Sequence, residues 1–177
     1  MRIPLFPLNV HLLPGGVIPL RLIEPRYLRM LGLSQAHGFG LCLLGTRRED
    51  GQMPLLTLGT RVEVVDFDQL DDGTLSVTVR GIERYRLHRL EMEADGLLFG
   101  EVTALPNWQI TELAPEQAAL VRMLGEIFAE HPDFAAYYPQ PEWANACWVA
   151  QRWLEVLPIS GEQKLPLLES DDCSDAL

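Results

Sequence analysis

Two residues of the 177-residue chain stand at a spacing that could support covalent chemistry: Ser160 and Lys164, four positions apart. On a helix they share a face, and a deprotonated lysine could serve as base to a serine nucleophile. Lys164 is the single lysine of the chain, so no other residue could complete such a dyad. The neighbouring residues favour a plainer role. Ser160 with Gln163 three positions on is the signature of a capping box that starts a helix, which makes Lys164 a solvated helix residue. The same lysine cannot serve a nucleotide phosphate, because it follows Glu162-Gln163 and no GxxxxGK[ST] run precedes it. The histidines, His11, His37, His88 and His131, show neither HExxH nor another metal-ligand spacing. Asp71-Asp72-Gly73 lacks the further oxygen ligands of a calcium loop and reads as a turn. Neither a metal nor a cofactor is expected, and no catalytic residue is assigned.

The cysteines, Cys42, Cys147 and Cys173, are odd in number and irregular in spacing, so a disulfide framework is not expected. Cys42 lies in the apolar run 39–44 and reads as a small buried hydrophobe. Two sets of residues are left as candidates for contact with a partner. Arg21, Glu24 and Arg26 could form a structural ion pair where the first helix begins, or hold a ligand carboxylate. Tyr137, Tyr138 and Trp143 stand in or beside a proline-bounded loop, and tyrosine and tryptophan are enriched at interface hot spots. Trp148 and Trp153 lie further along, off the apolar stripe of the second helix, and suit packing of a second buried face equally well.

The elements that must position these residues follow from periodicity. Pro14-Gly15-Gly16 is a turn, 17–23 a strand, and Glu24-Pro25 opens a short helix carrying Tyr27, Leu28 and Leu31. Gly38 reads as a helix C-cap, 39–44 as a buried strand, and 55–58 as a short strand that Gly59 breaks. Across 60–68 the alternation of apolar and polar residues slips near Val64-Val65, which predicts a β-bulge. Asp71-Asp72-Gly73 makes a hairpin turn, Leu75, Val77 and Val79 alternate on the next strand, Gly81 interrupts, and 97–105 gives another strand. Many short strands at this spacing predict an antiparallel sheet curling into a barrel or sandwich. Beyond Pro106 the period becomes helical. A helix starts at Pro115, carries Leu120, Met123, Leu124, Ile127 and Phe128 as a stripe, and ends at His131-Pro132; a second covers 142–157; a third follows Ser160, limited or kinked by Pro166. The acidic tail 169–177 is expected to fray.

Hydrophobic residues make up 47% of the chain, enough for a core, and the net charge is −11. Residues 1–100 carry 11 arginines against 12 acids, whereas 101–177 carry two arginines and one lysine against 13 acids. So acidic a second half repels phosphate backbones, and nucleic acid is not an expected partner. No apolar run approaches the roughly 20 residues of a membrane span, and the start lacks a signal-peptide core. No membrane partner is expected, and a cytoplasmic protein is.

Residues 4–8 (PLFPL), 13–16 (LPGG) and 19–27 (PLRLIEPRY) together resemble the opening of the N-terminal substrate-binding domain of Lon proteases. Residues 58–60 (LGT), the Asp72-Gly73 turn and 79–85 (VRGIERY) resemble the middle of that domain. Residues 157–160 (LPIS), 163–164 and 167–169 resemble its later LP-containing segment. The resemblance implies an α+β fold: a PUA-like antiparallel β pseudobarrel with a short inserted helix over 1–105, followed by a helical subdomain over 106–177. It implies a non-catalytic module that binds polypeptide segments or a protein partner, a separate ATP-dependent protease among them. The ATPase and peptidase modules of a Lon protease find no counterpart in the motifs above. The PUA-like fold leaves an alternative open, a small-molecule or RNA binder, for which Arg80, Arg84, Arg86 and Arg89 would have to supply a basic face.

Overall fold

The computed structural model describes residues 1–8, 10–44, 49, 55–170, 172, 173 and 176. Six strands precede the main group of helices: β1 (Arg2–Leu8), β2 (Val17–Leu22), β3 (Phe39–Leu44), β4 (Leu55–Gln69), β5 (Leu75–Met92) and β6 (Leu98–Ala104). One helix, α1 (Pro25–Leu33), is inserted between β2 and β3. The sheet order is β2-β5-β4-β3-β1-β6, and β5 also pairs with β6, which turns the sheet into a ring of strands. The length of β5 makes this possible. Its first part, Leu75 to Arg80, pairs with β2, and its second part, Tyr85 to Met92, pairs with β6. All pairs are antiparallel except β1 with β3, which run parallel. The sheet is therefore mixed, where the alternation pattern predicts an antiparallel one.

The slip in alternation at Val64-Val65 is a register shift between Val64 and Asp66 on β4, as expected. The two glycines expected to end strands do not. β4 runs through Gly59 and β5 runs through Gly81. Both positions admit another group instead. A Cβ on Gly59 would strike the Tyr85 ring and the Leu41 carbonyl, and one on Gly81 would strike the Leu13 carbonyl. At Gly81 the approach comes from the Pro14-Gly15-Gly16 turn: Gly15 N donates to Gly81 O and Gly81 N to Gly16 O, each at 2.9 Å. Glycine inside a strand here marks a close backbone approach. Gly38 is likewise not the helix cap. α1 ends at Leu33 with Ser34 as C-cap, and Gly38 N donates back to Ser34 O at 2.8 Å.

Alternate residues of the strands fill the ring. Leu20, Leu22, Phe39, Leu41, Val62, Val77, Val79 and Phe99 pack with Met30 of α1, and Ile3, Leu5, Cys42, Tyr85 and Val102 form an adjoining cluster. The remaining helices are α2 (Ala118–Glu130), α3 (Pro132–Ala135), α4 (Ala146–Val156) and α5 (Gly161–Leu168), with a 3₁₀ turn at Pro115–Gln117. α4 is shorter than the 142–157 expected, because Asn145 caps it by accepting from Cys147 N. Ser160 and Gln163 form the expected capping box of α5, and Pro166 lies inside that helix. The helices join the ring through a shared cluster, in which Leu13, Leu43 and Leu58 meet Trp108, Ala146, Ala150, Leu154 and Leu168, and through Val17 of β2, which packs against the helical aromatic cluster. Described residues after α5 are packed too: Ser170 O accepts from Trp108 Nε1 at 2.8 Å, and Cys173 is buried. No helix among the described residues is long and apolar enough to cross a membrane.

Candidate functional site

An apolar concavity lies among the helices. Leu120, Met123 and Ile127 of α2 recur at helical spacing and face Ala150 and Trp153 of α4, with Val156, Leu157 and Pro158 continuing the wall. Two adjoining cavities share Trp153 and Leu157, one of about 420 Å³ reaching Phe134 and His131, the other of about 260 Å³ reaching Ala176. Together they form a groove floored by Trp153, whose Nε1 donates to Leu120 O at 3.0 Å and so is already satisfied. Met123 (47% exposed), Val156 (38%) and Leu157 (37%) line it while remaining open to solvent. The exposed carboxylates Glu126 and Glu130 lie on α2 beside it. Among the described residues, the groove's lining offers no nucleophile and base within reach of each other.

The aromatic candidates support this groove from behind. Tyr138 is buried, its hydroxyl accepts from Val17 N at 2.9 Å, and its ring lies 5.7 Å from Phe128. Trp143 and Tyr137 are half-buried in the same cluster, with Trp143 at 5.0 Å from Phe128 and 5.4 Å from Trp148. Phe134, which lines the groove, packs edge-on against Phe128 at 5.1 Å and Tyr138 at 5.5 Å. The charged candidates separate. Glu24 and Arg26 pair at 2.7 Å at the start of α1, where Arg26 also reaches Gly96 O, whereas Arg21 bonds Asp72 and Thr74 at the β4–β5 turn. The arginines proposed for a basic face are likewise engaged. Arg84 is buried over Trp108, and Arg80, Arg86 and Arg89 meet Glu63, Glu169 and Glu91.

The serine and lysine do not combine. Ser160 Oγ accepts from Gln163 N at 3.1 Å in the helix cap. Lys164, expected to be solvated, is only 2% exposed, in a buried polar cluster with His11, Arg152 and Glu155. Arg152 donates to Glu155 from Nε at 2.6 Å, and its ring neighbours are Tyr138 and Trp148. Burial pushes the Glu155 carboxyl up to about 7 against the pull of Arg152 and Lys164. Burial and the nearby Lys164 charge hold His11 down at about 4, and burial lowers Lys164. These groups brace α4 and α5 against the turn at 14–16. Among the described residues, no group of three or more His, Cys, Asp or Glu could hold a metal ion.

Sequence reasoning placed Met123 and Ile127 in the apolar stripe of α2 and did not single them out. The signal was there in the width of that stripe. Leu124 and Phe128 are buried in the aromatic cluster, which leaves Met123 and Ile127 for a second face.

A ring of strands with a helix inserted after β2 and a helical group behind it is the fold of Lon N-terminal domains. The crystal structure of a Lon N-terminal domain protein from Xanthomonas campestris superposes with a TM-score of 0.75 at 35% identity, over 99% of this chain and 94% of that one. The N-terminal domain of Mycobacterium avium complex Lon protease shares the fold, with a TM-score of 0.65 at 19% identity over the same shares of the two chains. Residues 2–177 match the family model of the ATP-dependent protease La (LON) substrate-binding domain, and the chain belongs to that family. Relatives include Lon proteases of Buchnera aphidicola, 26% identical over 76% of this chain, and Escherichia coli K12, 32% identical over 51% of it. The chain spans 17% of the length of the first and 12% of the second.

Proposed function

We propose that this chain binds extended polypeptide segments through the groove between α2 and α4 and carries out no bond chemistry itself. The observation that carries the reading is the pair of facing stripes, Leu120-Met123-Ile127 and Ala150-Trp153-Leu157, which leave an apolar groove open beside the exposed acids Glu126 and Glu130. Membership of a substrate-binding family supports it. A leucine or phenylalanine side chain moved from water into such a groove contributes about 1.5–3 kcal/mol, so two or three anchors contribute about 3–9 kcal/mol, part of which offsets the cost of association. Flanking lysines or arginines on the bound segment would meet Glu126 and Glu130 at the border, which aids encounter more than affinity. Tyr137, Tyr138 and Trp143 act by holding Phe134 and Phe128 in place. The protein works in the cytoplasm, and a separate ATP-dependent protease is the partner to which bound segments would pass.

The test is a fluorescence-anisotropy titration of the purified chain with a labelled peptide carrying spaced leucine and phenylalanine residues between lysines. Saturable binding that weakens in Leu157→Asp supports the reading. No binding of that peptide, or binding indifferent to Leu157, overturns it.

A further inference from the structure

Cys147 and Cys173 lie 26 positions apart in the sequence, yet their Sγ atoms are 2.7 Å apart, and both side chains are buried. Cys147 is in the first turn of α4, and its Sγ also donates to Gln109 O at 2.9 Å. Cys173 belongs to the stretch after α5. Three residues before it, Ser170 O is anchored by Trp108 Nε1 and by Arg84. Three residues after it, Ala176 lines the end of the groove with Leu120, Met123, Ala150, Trp153 and Leu157. Cys173 thus stands between a fixed point and a groove wall. The third thiol, Cys42, is elsewhere, 3.8 Å from the Tyr85 hydroxyl inside the ring of strands.

We propose that Cys147 and Cys173 are a dithiol–disulfide pair whose bond fastens the stretch after α5 onto α4 and keeps Ala176 in the end of the groove. The second half of this proposal rests on the groove being the peptide site. A disulfide needs its sulfurs about 2.05 Å apart, so this pair closes with a small shift. The oxidant is a low-molecular-weight disulfide such as glutathione disulfide. One cysteine thiolate attacks it, forming a mixed disulfide and expelling one glutathione thiolate. The second cysteine thiolate then attacks the protein-bound sulfur and expels the other. The protein loses two thiol protons and two electrons, and the external disulfide becomes two thiols carrying both protons. Burial and the neighbouring sulfur push the Cys173 thiol up to about 11, so exchange is slow.

Once formed, the bond ties Cys173 to the first turn of α4. With Ala176 held in place the groove stays short, and in the reduced protein its far end can open to a longer segment. The oxidised form is the weaker peptide binder.

The test uses the purified full chain equilibrated in glutathione buffers, followed by thiol counting and non-reducing peptide mapping. The expected result is loss of two thiols, one linked peptide pair joining Cys147 to Cys173, and an intact Cys42 thiol. Cys173→Ser, which leaves α4 unaltered, gives at most a mixed disulfide on Cys147. Mixed disulfides or intermolecular dimers in place of the link in the unaltered protein overturn the proposal. The labelled peptide is then titrated against both redox forms. A severalfold weaker affinity on oxidation, absent in Cys173→Ser, supports the coupling. A formed link with equal affinities overturns the coupling alone. No peptide binding in either form overturns the groove reading, and the thiol result stands apart from it.

Discussion

Arg152 Nη2 donates to the carbonyl of Pro14 at 2.8 Å, joining the middle of α4 to the first turn of the chain across 138 positions. The guanidinium is fully buried, and Glu155 neutralises it from the next helical turn. Breaking a buried pair by removing one partner leaves the other charge uncompensated and costs about 3–5 kcal/mol. Arg152→Met is therefore expected to lose stability of that order in urea denaturation. The double variant Arg152→Met/Glu155→Leu should recover part of the loss, because the Glu155 carboxylate is no longer stranded, while the buried Lys164 loses its acidic neighbour. Equal destabilisation of the single and double variants would show that the Pro14 bond, and not the stranded carboxylate, is the larger part.

The same cluster gives two opposing pH dependences. His11 titrates at about 4 when folded against 6.5 when unfolded, so between these values the unfolded chain binds more protons and stability falls as pH is lowered. Glu155 titrates at about 7 folded against 4.5 unfolded, so the folded chain binds more protons and stability falls as pH is raised through that window. From pH 4.5 to 6.5 the two contributions offset each other. Relative to the unaltered protein, His11→Asn should lose stability on going from pH 4 to 6.5, and Glu155→Gln on going from 7 to 4.5. Each change is expected to be of the order of 2 kcal/mol after allowance for screening. Denaturant midpoints across the range check it, and two variants that follow the parent curve refute the assignment.

Arg84 ties the ring of strands to the helices. From β5 it donates to the carbonyls of Leu168, Ser170 and Pro106, and its guanidinium lies 5.1 Å from the centre of the Trp108 ring. With Leu43 and Leu58 buried against α4 and α5, the ring and helices are expected to unfold together. All four tryptophans lie after position 106, so their fluorescence reports the helices while far-UV dichroism reports both parts. Coincident midpoints are expected, and residues 1–105 expressed alone should aggregate through Leu43 and Leu58. A folded 1–105 fragment would instead establish two independent units.

What the sequence made legible was local. The β3 strand, the bulge near Val64, the hairpin at Asp71–Gly73 and the Ser160–Gln163 cap all have their cause within a few residues. What it hid depends on a distant partner. Gly59 and Gly81 read as strand breaks because nothing nearby shows that Tyr85 and Leu13 press on them. The parallel β1–β3 pairing leaves no mark on either strand's alternation, and the single lysine gives no sign that Glu155 waits beside it. The groove was half legible, since the stripe on α2 is wider than one buried face requires. Its second wall, formed where α4 ends at Leu157-Pro158, needed the fold.

A second apolar surface competes for the role given to the groove. At the far end of β4, Phe67 is 73% exposed and Val65 is 47% exposed. They differ from the groove in shape. Phe67 stands between Asp66 and Asp68 on a strand, so a bound chain would cover one face of its ring, whereas Trp153 and Leu157 lie between helices that enclose a side chain. Enclosure removes more apolar area from water per anchor, at about 25 cal/mol per Å². Leu157→Asp and Met123→Asp should each weaken the labelled peptide by roughly tenfold, since a lost anchor of about 1.4 kcal/mol is a factor of ten. Both positions are open to solvent, so thermal stability should change little. Phe67→Asp should leave the affinity as it is. If Phe67→Asp abolishes binding and Leu157→Asp does not, peptide recognition belongs to the sheet edge, and the helices serve to brace the ring.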